Sequence, residues 1–257
     1  MRGLNGKRII IAGGASGIGA ATAERLAAEG AAVVIGDINI DGARATAKRI
    51  ADAGGTALAV EFDLADEHSA QAMTDTAVAR LGGVDGLYNV GADVSPQVLG
   101  RDGDLLGMDP AVWRRTFEVN LLGFALTARA VLPLLLDQGG GAIVNTSSLA
   151  VHVGDHMRAA YQTSKAGINA LTRHIASRWG KQGVRSNCVS PGVVLTESAE
   201  KMALNSEALA FARQTLPSPR FGEPGDLAGV VAFLLSDDGK WINGQVWSVN
   251  GGAAFRE

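Results

Sequence analysis

Seven short apolar runs rich in valine and isoleucine recur along the chain, and alanine-rich stretches with helical spacing separate them. The runs are KRIIIAG, AAVVIGD, ALAVEFD, VDGLYNV, GAIVNTS, VRSNCVS and QVWSVNG. Because these runs show little alternation of polar and apolar residues, they predict strands buried on both faces, as in a parallel sheet. Right-handed crossovers then place helices on both faces, so we expect a doubly wound α/β fold of about seven strands.

Two segments lack a regular pattern and follow predicted strands. Asp93 to Asp109 contains glycines at positions 100, 103 and 107, and Thr196 to Pro219 carries scattered apolar side chains. Loops that follow strands lie on the ligand side of such a sheet. We expect the segment around 196–219 to contact the substrate, and its Met202, Leu204, Leu209 and Phe211 favour an apolar one.

The composition indicates one compact domain spanning residues 1–257. The chain is 47% hydrophobic, its mean hydropathy is +0.14 and its net charge is −3, and no linker-like tract divides it. Without a block of Lys or Arg we expect neither nucleic acid nor a membrane surface as partner. The run LLGFALTARAVLPLLL is interrupted by Arg129 and Pro133, which favours a buried helix, and no signal peptide is recognised, so we expect a cytoplasmic location.

A glycine-rich loop lies between the first predicted strand and the first predicted helix. Glycines there permit a sharp turn and let the backbone approach a pyrophosphate, whose charge the free N–H groups at a helix start can bind. The glycine spacing is G-x-x-x-G-x-G, and a glycine-rich loop alone is often merely a turn. Its position in a Rossmann-type unit favours dinucleotide binding by Gly13, Ser16, Gly17, Ile18 and Gly19.

Asp37 ends the second predicted strand, eighteen residues after Gly19. A carboxylate there can accept hydrogen bonds from both hydroxyls of an adenosine ribose. It would repel the 2′-phosphate of NADP, and neither Ser16 nor Ile38 supplies a compensating cation, so the sequence predicts NAD as cofactor. The open alternative is a solvated strand-end carboxylate. The pair Asp63 and Leu64 ends the third run, where the carboxylate could accept from the adenine amino group.

Tyr161 and Lys165 stand four residues apart, with Ser148 thirteen residues before the tyrosine. Positions i and i+4 share one helix face, so the Lys165 ammonium can lie beneath the Tyr161 phenol. An adjacent cation would lower the pKa of the tyrosine from about 10 and prepare it as a general base. The alternative is a half-buried tyrosine beside a solvated lysine, because this spacing also occurs by chance.

Together these motifs resemble the short-chain dehydrogenase/reductase family, in its single-domain branch, over essentially the whole chain. Two departures are Ala12, where the family usually has threonine, and Asn89-Val90-Gly91-Ala92 in place of Asn-Asn-Ala-Gly. The valine would remove an amide that commonly supports the central strand. The positions that carry the resemblance are the glycine loop, Asp37, Asp63, Leu64, Asn89, Gly91, Asn120, Ser148, Tyr161, Lys165, Pro191, Gly192, Val194 and Thr196.

The resemblance implies a role for each catalytic position. Tyr161 would be the acid/base, and Lys165 would bind the nicotinamide ribose and depress the tyrosine pKa. Ser148 would hydrogen-bond the substrate oxygen, although the neighbouring Ser147 offers the same group at a different spacing. Asn120 would hold the helix geometry and a proton-carrying water. The stretch from Pro191 to Thr196 would orient the nicotinamide carboxamide.

The sequence therefore predicts an NAD-dependent enzyme that interconverts a secondary alcohol and a ketone, cyclic or otherwise hydrophobic. One alternative is an NADPH-type carbonyl or 3-oxoacyl thioester reductase, and the other is an NAD-binding regulatory or scaffold protein, since fold alone does not determine function. No cluster of His, Cys and Asp has metal-ligand spacing, so no metal is expected. The resemblance also implies a homotetramer.

Overall fold

A seven-stranded parallel sheet forms the centre of the molecule, as the apolar runs predict. The computed structural model describes residues 1–154, 156–196 and 213–255. The strand order is β3-β2-β1-β4-β5-β6-β7, and every neighbouring pair is parallel. The strands are β1 Arg8–Ala12, β2 Ala32–Asp37, β3 Thr56–Glu61, β4 Gly86–Asn89, β5 Gly141–Thr146, β6 Val184–Pro191 and β7 Val246–Val249.

Helices cover both faces of this sheet. Helices α1, α2 and α7 lie on one face, and α3, α4, α5 and α6 lie on the other. Successive side chains of a central strand point to opposite faces and so pack into different hydrophobic cores. In β1, Ile9 and Ile11 pack on the face covered by α1, α2 and α7, whereas Ile10 and Ala12 pack on the other face. The helices are α1 Gly17–Ala28, α2 Ile40–Asp52, α3 Glu67–Leu81, α4 Pro110–Phe117, α5 Gly123–Asp137, α6 Ala159–Trp179 and α7 Pro224–Leu235.

The strand order reverses at β1, which has β2 on one side and β4 on the other. Crossovers leave β1 and β4 toward opposite faces, so a crevice opens between the loops that follow their carboxyl ends. The glycine loop follows β1, and the segment from Val90 follows β4. The two predicted ligand-binding segments therefore meet at this crevice.

The helical run Pro110–Asp137 is long and apolar enough to span a membrane by length and composition alone. Half of its apolar window is buried inside the protein. Phe124, Ala128, Val131 and Leu135 pack into the core under the sheet. The run is thus a core helix, as the interruption by Arg129 and Pro133 predicts.

Two sequence expectations need adjustment. Strand β3 ends at Glu61, so Asp63 and Leu64 lie in the loop after it and do not end the strand. In the expected substrate-contacting segment, the structure describes Thr196 and residues 213–219. Met202, Leu204, Leu209 and Phe211 lie outside the described residues.

Candidate active site

The glycine loop is shaped by backbone conformations and contacts that side chains would block. Gly13 has φ of +104°, and a β-carbon there would collide with the backbone nitrogen of Gly91. A β-carbon on Gly19 would collide with the carbonyl oxygen of Gly13. The loop therefore packs directly against the end of β4 and against the first turn of α1, as predicted for a phosphate cradle.

The loop leads into the amino-terminal end of α1. Ser16 caps this helix with extended backbone, and its side chain makes no capping hydrogen bond. The first N–H groups of the helix are thus left without a capping side chain at the positive end of its dipole. This arrangement suits a phosphate group.

Asp37 is fixed at the end of β2 by two backbone donors. The Ala15 N–H donates to Oδ2 at 2.9 Å, and the Asn39 N–H donates to Oδ1 at 2.9 Å. The carboxylate thereby joins the glycine loop to the turn after β2. Each oxygen keeps a second acceptor position, so two ribose hydroxyls can still be bound.

A cavity of about 510 Å³ joins these parts. Asp63 lies there with its Oδ1 accepting from the Ala65 N–H at 2.9 Å, and Ile38 is 67% exposed at the rim. The predicted cofactor residues that line this cavity are Gly13, Ser16, Gly17, Ile18, Gly19, Asp37, Ile38, Asp63, Leu64, Gly91 and Thr196.

Asn89 is also predicted to bind the cofactor, but it does not line this cavity, because its side chain is completely buried. Its Nδ2 donates to Oδ1 of Asn145 at 3.0 Å, and its Oδ1 accepts from the Thr127 hydroxyl at 2.7 Å. Asn89 therefore ties β4 to β5 and α5. Val90 carries no amide, as expected, and the side-chain link between the central strands is made by Asn89 and Asn145.

A second cavity, of about 260 Å³, adjoins the first and contains the predicted catalytic groups. Ser148, Tyr161 and Lys165 all line it. The residues common to both cavities are Ile18, Val90, Ala92, Val94 and Thr196, and the predicted Pro191, Gly192 and Val194 line the second cavity as well. The crevice at the strand-order reversal is thus continuous from Asp37 to Tyr161.

The two neighbouring serines have different roles. The Ser147 hydroxyl is buried and donates to the carbonyl of Lys165 at 3.1 Å. Ser148 is partly exposed, accepts from the Ala150 N–H at 3.2 Å and hydrogen-bonds the Tyr161 side chain. Both serines line the second cavity, but the Ser147 hydroxyl is bound to the helix backbone, so Ser148 remains the candidate that the spacing indicates.

Lys165 is almost completely buried, with 2% of its surface exposed. Its ammonium donates to the carbonyl of Thr146 at 3.0 Å and lies 5.3 Å and 5.7 Å from the ring centres of Phe124 and Tyr161. These contacts offset only part of the lost hydration. Burial consequently lowers the pKa of Lys165 to about 8.

The sequence predicts that Lys165 lowers the pKa of Tyr161, but in the structure this pKa is raised. Burial raises it above the usual value, while the hydrogen bond from Ser148 and the charge of Arg158 act in the opposite direction. Lys165 shares the helix face and the cavity with Tyr161, but its ammonium points to the Thr146 carbonyl. In the protein by itself, the effect of burial on this pKa therefore outweighs the hydrogen bond from Ser148 and the charge of Arg158.

Asn120 lies in a π-helical turn, Glu118–Leu122, between α4 and α5. Such turns often occur at functional sites. Its Oδ1 accepts from the Asp93 N–H at 2.9 Å, whereas its buried Nδ2 has no hydrogen-bond partner among the described residues. The side chain supports the loop after β4 and does not itself line either cavity, and its expected role in holding a water stays a prediction.

Asp102 positions the start of the helix that carries Tyr161, and the sequence did not indicate this role. It comes from the irregular segment after β4 and is 3% exposed. Its carboxylate accepts from the N–H groups of Ala160 and Tyr161 at 3.1 and 2.7 Å, so it caps the start of α6. The partners are 58 and 59 residues apart, and no local pattern could reveal such a cap.

Comparison with known proteins yields one family model and several relatives of similar length. The family model described as enoyl-(acyl carrier protein) reductase matches residues 13–254. An uncharacterised oxidoreductase of Mycobacterium tuberculosis is 42% identical over 254 residues, which cover 98% of this chain and 99% of the relative. The cis-4-hydroxycyclohexanecarboxylate dehydrogenase of Sinomonas cyclohexanicum is 39% identical over 243 residues, with coverages of 95% and 94%.

Solved structures agree with this fold. A 7α-hydroxysteroid dehydrogenase, complexed with NADH and 7-oxo glycochenodeoxycholic acid, superposes with a TM-score of 0.91 at 34% identity. The superposition covers 97% of this chain and 95% of that one.

The burial of Lys165 leads to a prediction about stability. We expect Lys165→Met to raise the free energy of unfolding near pH 7 by at most on the order of 3 kcal/mol, because the lysine pKa falls from 10.5 to about 8 on folding. The unfolded wild type then holds more protons between pH 8 and 10.5, so its stability rises there and the variant's advantage shrinks.

Urea denaturation of both proteins at several pH values measures this effect. The exposed Lys181→Met serves as the matched control and should differ little from wild type at any pH. A constant difference between Lys165→Met and wild type from pH 7 to 10 would contradict the prediction.

Proposed function

We propose that this chain, which belongs to the short-chain dehydrogenase/reductase family, is an NAD-dependent dehydrogenase that interconverts a secondary alcohol and a ketone. The family match covers residues 13–254, and a relative with 39% identity is itself a dehydrogenase. The family resemblance drawn from the motifs is thereby confirmed. The proposal concerns the cofactor, the reaction and the substrate class.

One observation carries the proposal. Ser148, Tyr161 and Lys165 line a single cavity, and that cavity adjoins the cleft formed by the glycine loop and Asp37. A proton-transferring group and a dinucleotide cleft in contact are what hydride exchange with an alcohol requires.

The cleft has the features that a dinucleotide needs. The glycine loop leaves no room for β-carbons, the α1 amino terminus suits the pyrophosphate, and Asp37 is held with free acceptor positions. Gly192, Val194 and Thr196 would hold the nicotinamide end beside Lys165. A bound nicotinamide would accept or supply the hydride.

The side chains of the second cavity would handle the proton. In oxidation the Tyr161 phenolate takes the proton of the alcohol, while Ser148 donates a hydrogen bond to the oxygen as negative charge develops. The raised pKa of Tyr161 keeps it protonated, so the cation at Lys165 and the charge of an oxidised nicotinamide must assist ionisation. In ketone reduction the same phenol donates the proton.

Asp37 supports NAD over NADP. Its carboxylate is fixed by Ala15 and Asn39, so it cannot easily turn away from a 2′-phosphate. The neighbouring Ile38 is exposed and uncharged. Among the described residues that line the cleft, the one Lys or Arg is Arg115, which forms ion pairs with Asp93 at 3.5 Å and with Glu118 at 3.3 Å. A fixed negative charge without a compensating cation disfavours NADP.

We further place a cyclic substrate in the second cavity. The Sinomonas relative is named for a hydroxylated cyclohexane, and the structural relative is complexed with a steroid ketone. The lining supplies apolar contacts from Val90, Val94 and Val194.

The two alternative functions have less support. An NADPH-type reductase would use the same groups, but the Asp37 carboxylate would repel the 2′-phosphate of its cofactor. A purely regulatory protein would not need Ser148, Tyr161 and Lys165 together in one cavity. We keep the cytoplasmic location as part of the proposal.

Replacement of Tyr161 by phenylalanine tests the reaction. We expect Tyr161→Phe to lower the rate of NAD reduction roughly 1,000-fold, because the proton acceptor is lost, while NAD binding persists. The measurement is NADH absorbance with a panel of hydroxylated cyclohexanes and hydroxysteroids. Tyr88→Phe, which removes the other tyrosine hydroxyl from the core, is the control and should retain activity within a few-fold. Equal activity of the two variants would refute the proposed role of Tyr161.

A change at Asp37 tests the cofactor. We expect Asp37→Asn to keep the acceptor oxygen but lose the charge, so the preference for NAD over NADP should fall at least about tenfold. Binding constants for both dinucleotides give the readout, and Asp41→Asn on exposed α2 is the control. Wild-type protein that prefers NADP would overturn our interpretation of Asp37.

We also propose a homotetramer, as the family resemblance implies. Strand β7 is an edge of the sheet, and Trp241 nearby is 99% exposed. Leu122, at the start of the apolar helix, is 51% exposed. Exposed apolar side chains beside an open sheet edge suit subunit contacts. Sedimentation should give four times the monomer mass, and a monomer at micromolar concentration would contradict this.

A further inference from the structure

Arg158 occupies an unusual position immediately before the helix that carries Tyr161. Its backbone has φ of 64° and ψ of 40°, and among the described residues it alone has positive φ without being glycine. Side chains of L-residues avoid this region, and such conformations concentrate at functional sites. This conformation therefore indicates that Arg158 has a functional role.

Asp102 holds this conformation in place. Its carbonyl accepts from the Arg158 N–H at 3.0 Å, and its carboxylate accepts from the N–H groups of Ala160 and Tyr161. The backbone on both sides of the turn is thus bound to one buried residue. Arg158 consequently projects from a fixed base rather than from a free loop.

Arg158 is exposed to solvent and belongs to the lining of the second cavity. It lines that cavity together with Ser148 and Tyr161, and its charge acts on the Tyr161 phenol. Among the described residues, the lining of this cavity contains no Asp or Glu, and Arg158 makes no ion pair. A cation is thus available at the place where the alcohol is expected to bind.

We infer that Arg158 binds a carboxylate of the substrate, which makes the substrate a hydroxy acid or oxo acid. The inference rests on the proposed function, because it assigns this cavity to the substrate. Guanidinium groups bind carboxylates through two parallel hydrogen bonds. Arg158 and Tyr161 line the same cavity, so an acid group bound at the guanidinium and an alcohol at the phenol can belong to one small molecule. Arg158 thereby sets which carbon faces the phenol.

Direct binding tests this without turnover. Isothermal titration measures the affinity of cyclohexanecarboxylate and of the uncharged cyclohexanecarboxamide, each with and without NADH. We expect the wild type to bind the carboxylate at least tenfold more tightly than the carboxamide. Arg158→Gln should remove that preference and leave carboxamide binding unchanged, and Arg158→Lys should retain part of it.

Two further variants separate binding from folding. Arg173→Gln, on the exposed side of the same helix, should change neither affinity. Arg158→Gly relieves the backbone conformation, so it should raise the thermal midpoint and still lose the preference for carboxylate. Equal wild-type affinity for the two ligands, or an equal loss of both in Arg158→Gln, would overturn the inference.

The carboxylate site and the dehydrogenase activity can fail independently, and the experiments distinguish the two failures. A carboxylate preference that depends on Arg158, without NAD reduction in any alcohol assay, would support the anion site and refute the dehydrogenase. Oxidation of cyclohexanol and of 4-hydroxycyclohexanecarboxylate with similar kcat/KM, unaffected by Arg158→Gln, would support the dehydrogenase and refute the anion site.

Discussion

The carboxylate of Asp102, buried at the start of α6, holds the side chains on which the site depends. It accepts from two N–H groups that would otherwise lack partners at the first turn of the helix. Its negative charge also lies at the positive end of the helix dipole. Because Tyr161 and Lys165 follow within two turns and Arg158 precedes them, this cap fixes the start of the backbone segment that carries all three.

Helix α6 carries both Lys165 and Tyr161, and burial disfavours the charged form of each. Lys165 is held as a cation by a carbonyl and two aromatic rings, and its pKa still falls to about 8. Tyr161 resists ionisation for the same reason. Burial therefore opposes the charged form of both groups in the protein alone.

Beneath this site, buried amides join the central strands. Asn89 and Asn145 pair across β4 and β5, and Asn145 donates onward to the Thr172 hydroxyl on α6 at 3.0 Å. Satisfied polar networks in a core fix one arrangement, because any shift leaves a donor or acceptor without a partner. The network therefore fixes α6 to the sheet at Thr172, about three turns beyond the Asp102 cap.

The sequence by itself determined the parallel sheet, the glycine loop and the spacing of Ser148, Tyr161 and Lys165, because each is written in a local pattern of apolar runs, glycines or helical spacing. Only the tertiary structure decided which groups bind which. Asp102 and Asn89 find partners more than 50 residues away, and the lysine turns to a carbonyl rather than to the phenol. Such choices depend on distance and burial in three dimensions, which no spacing along the chain records.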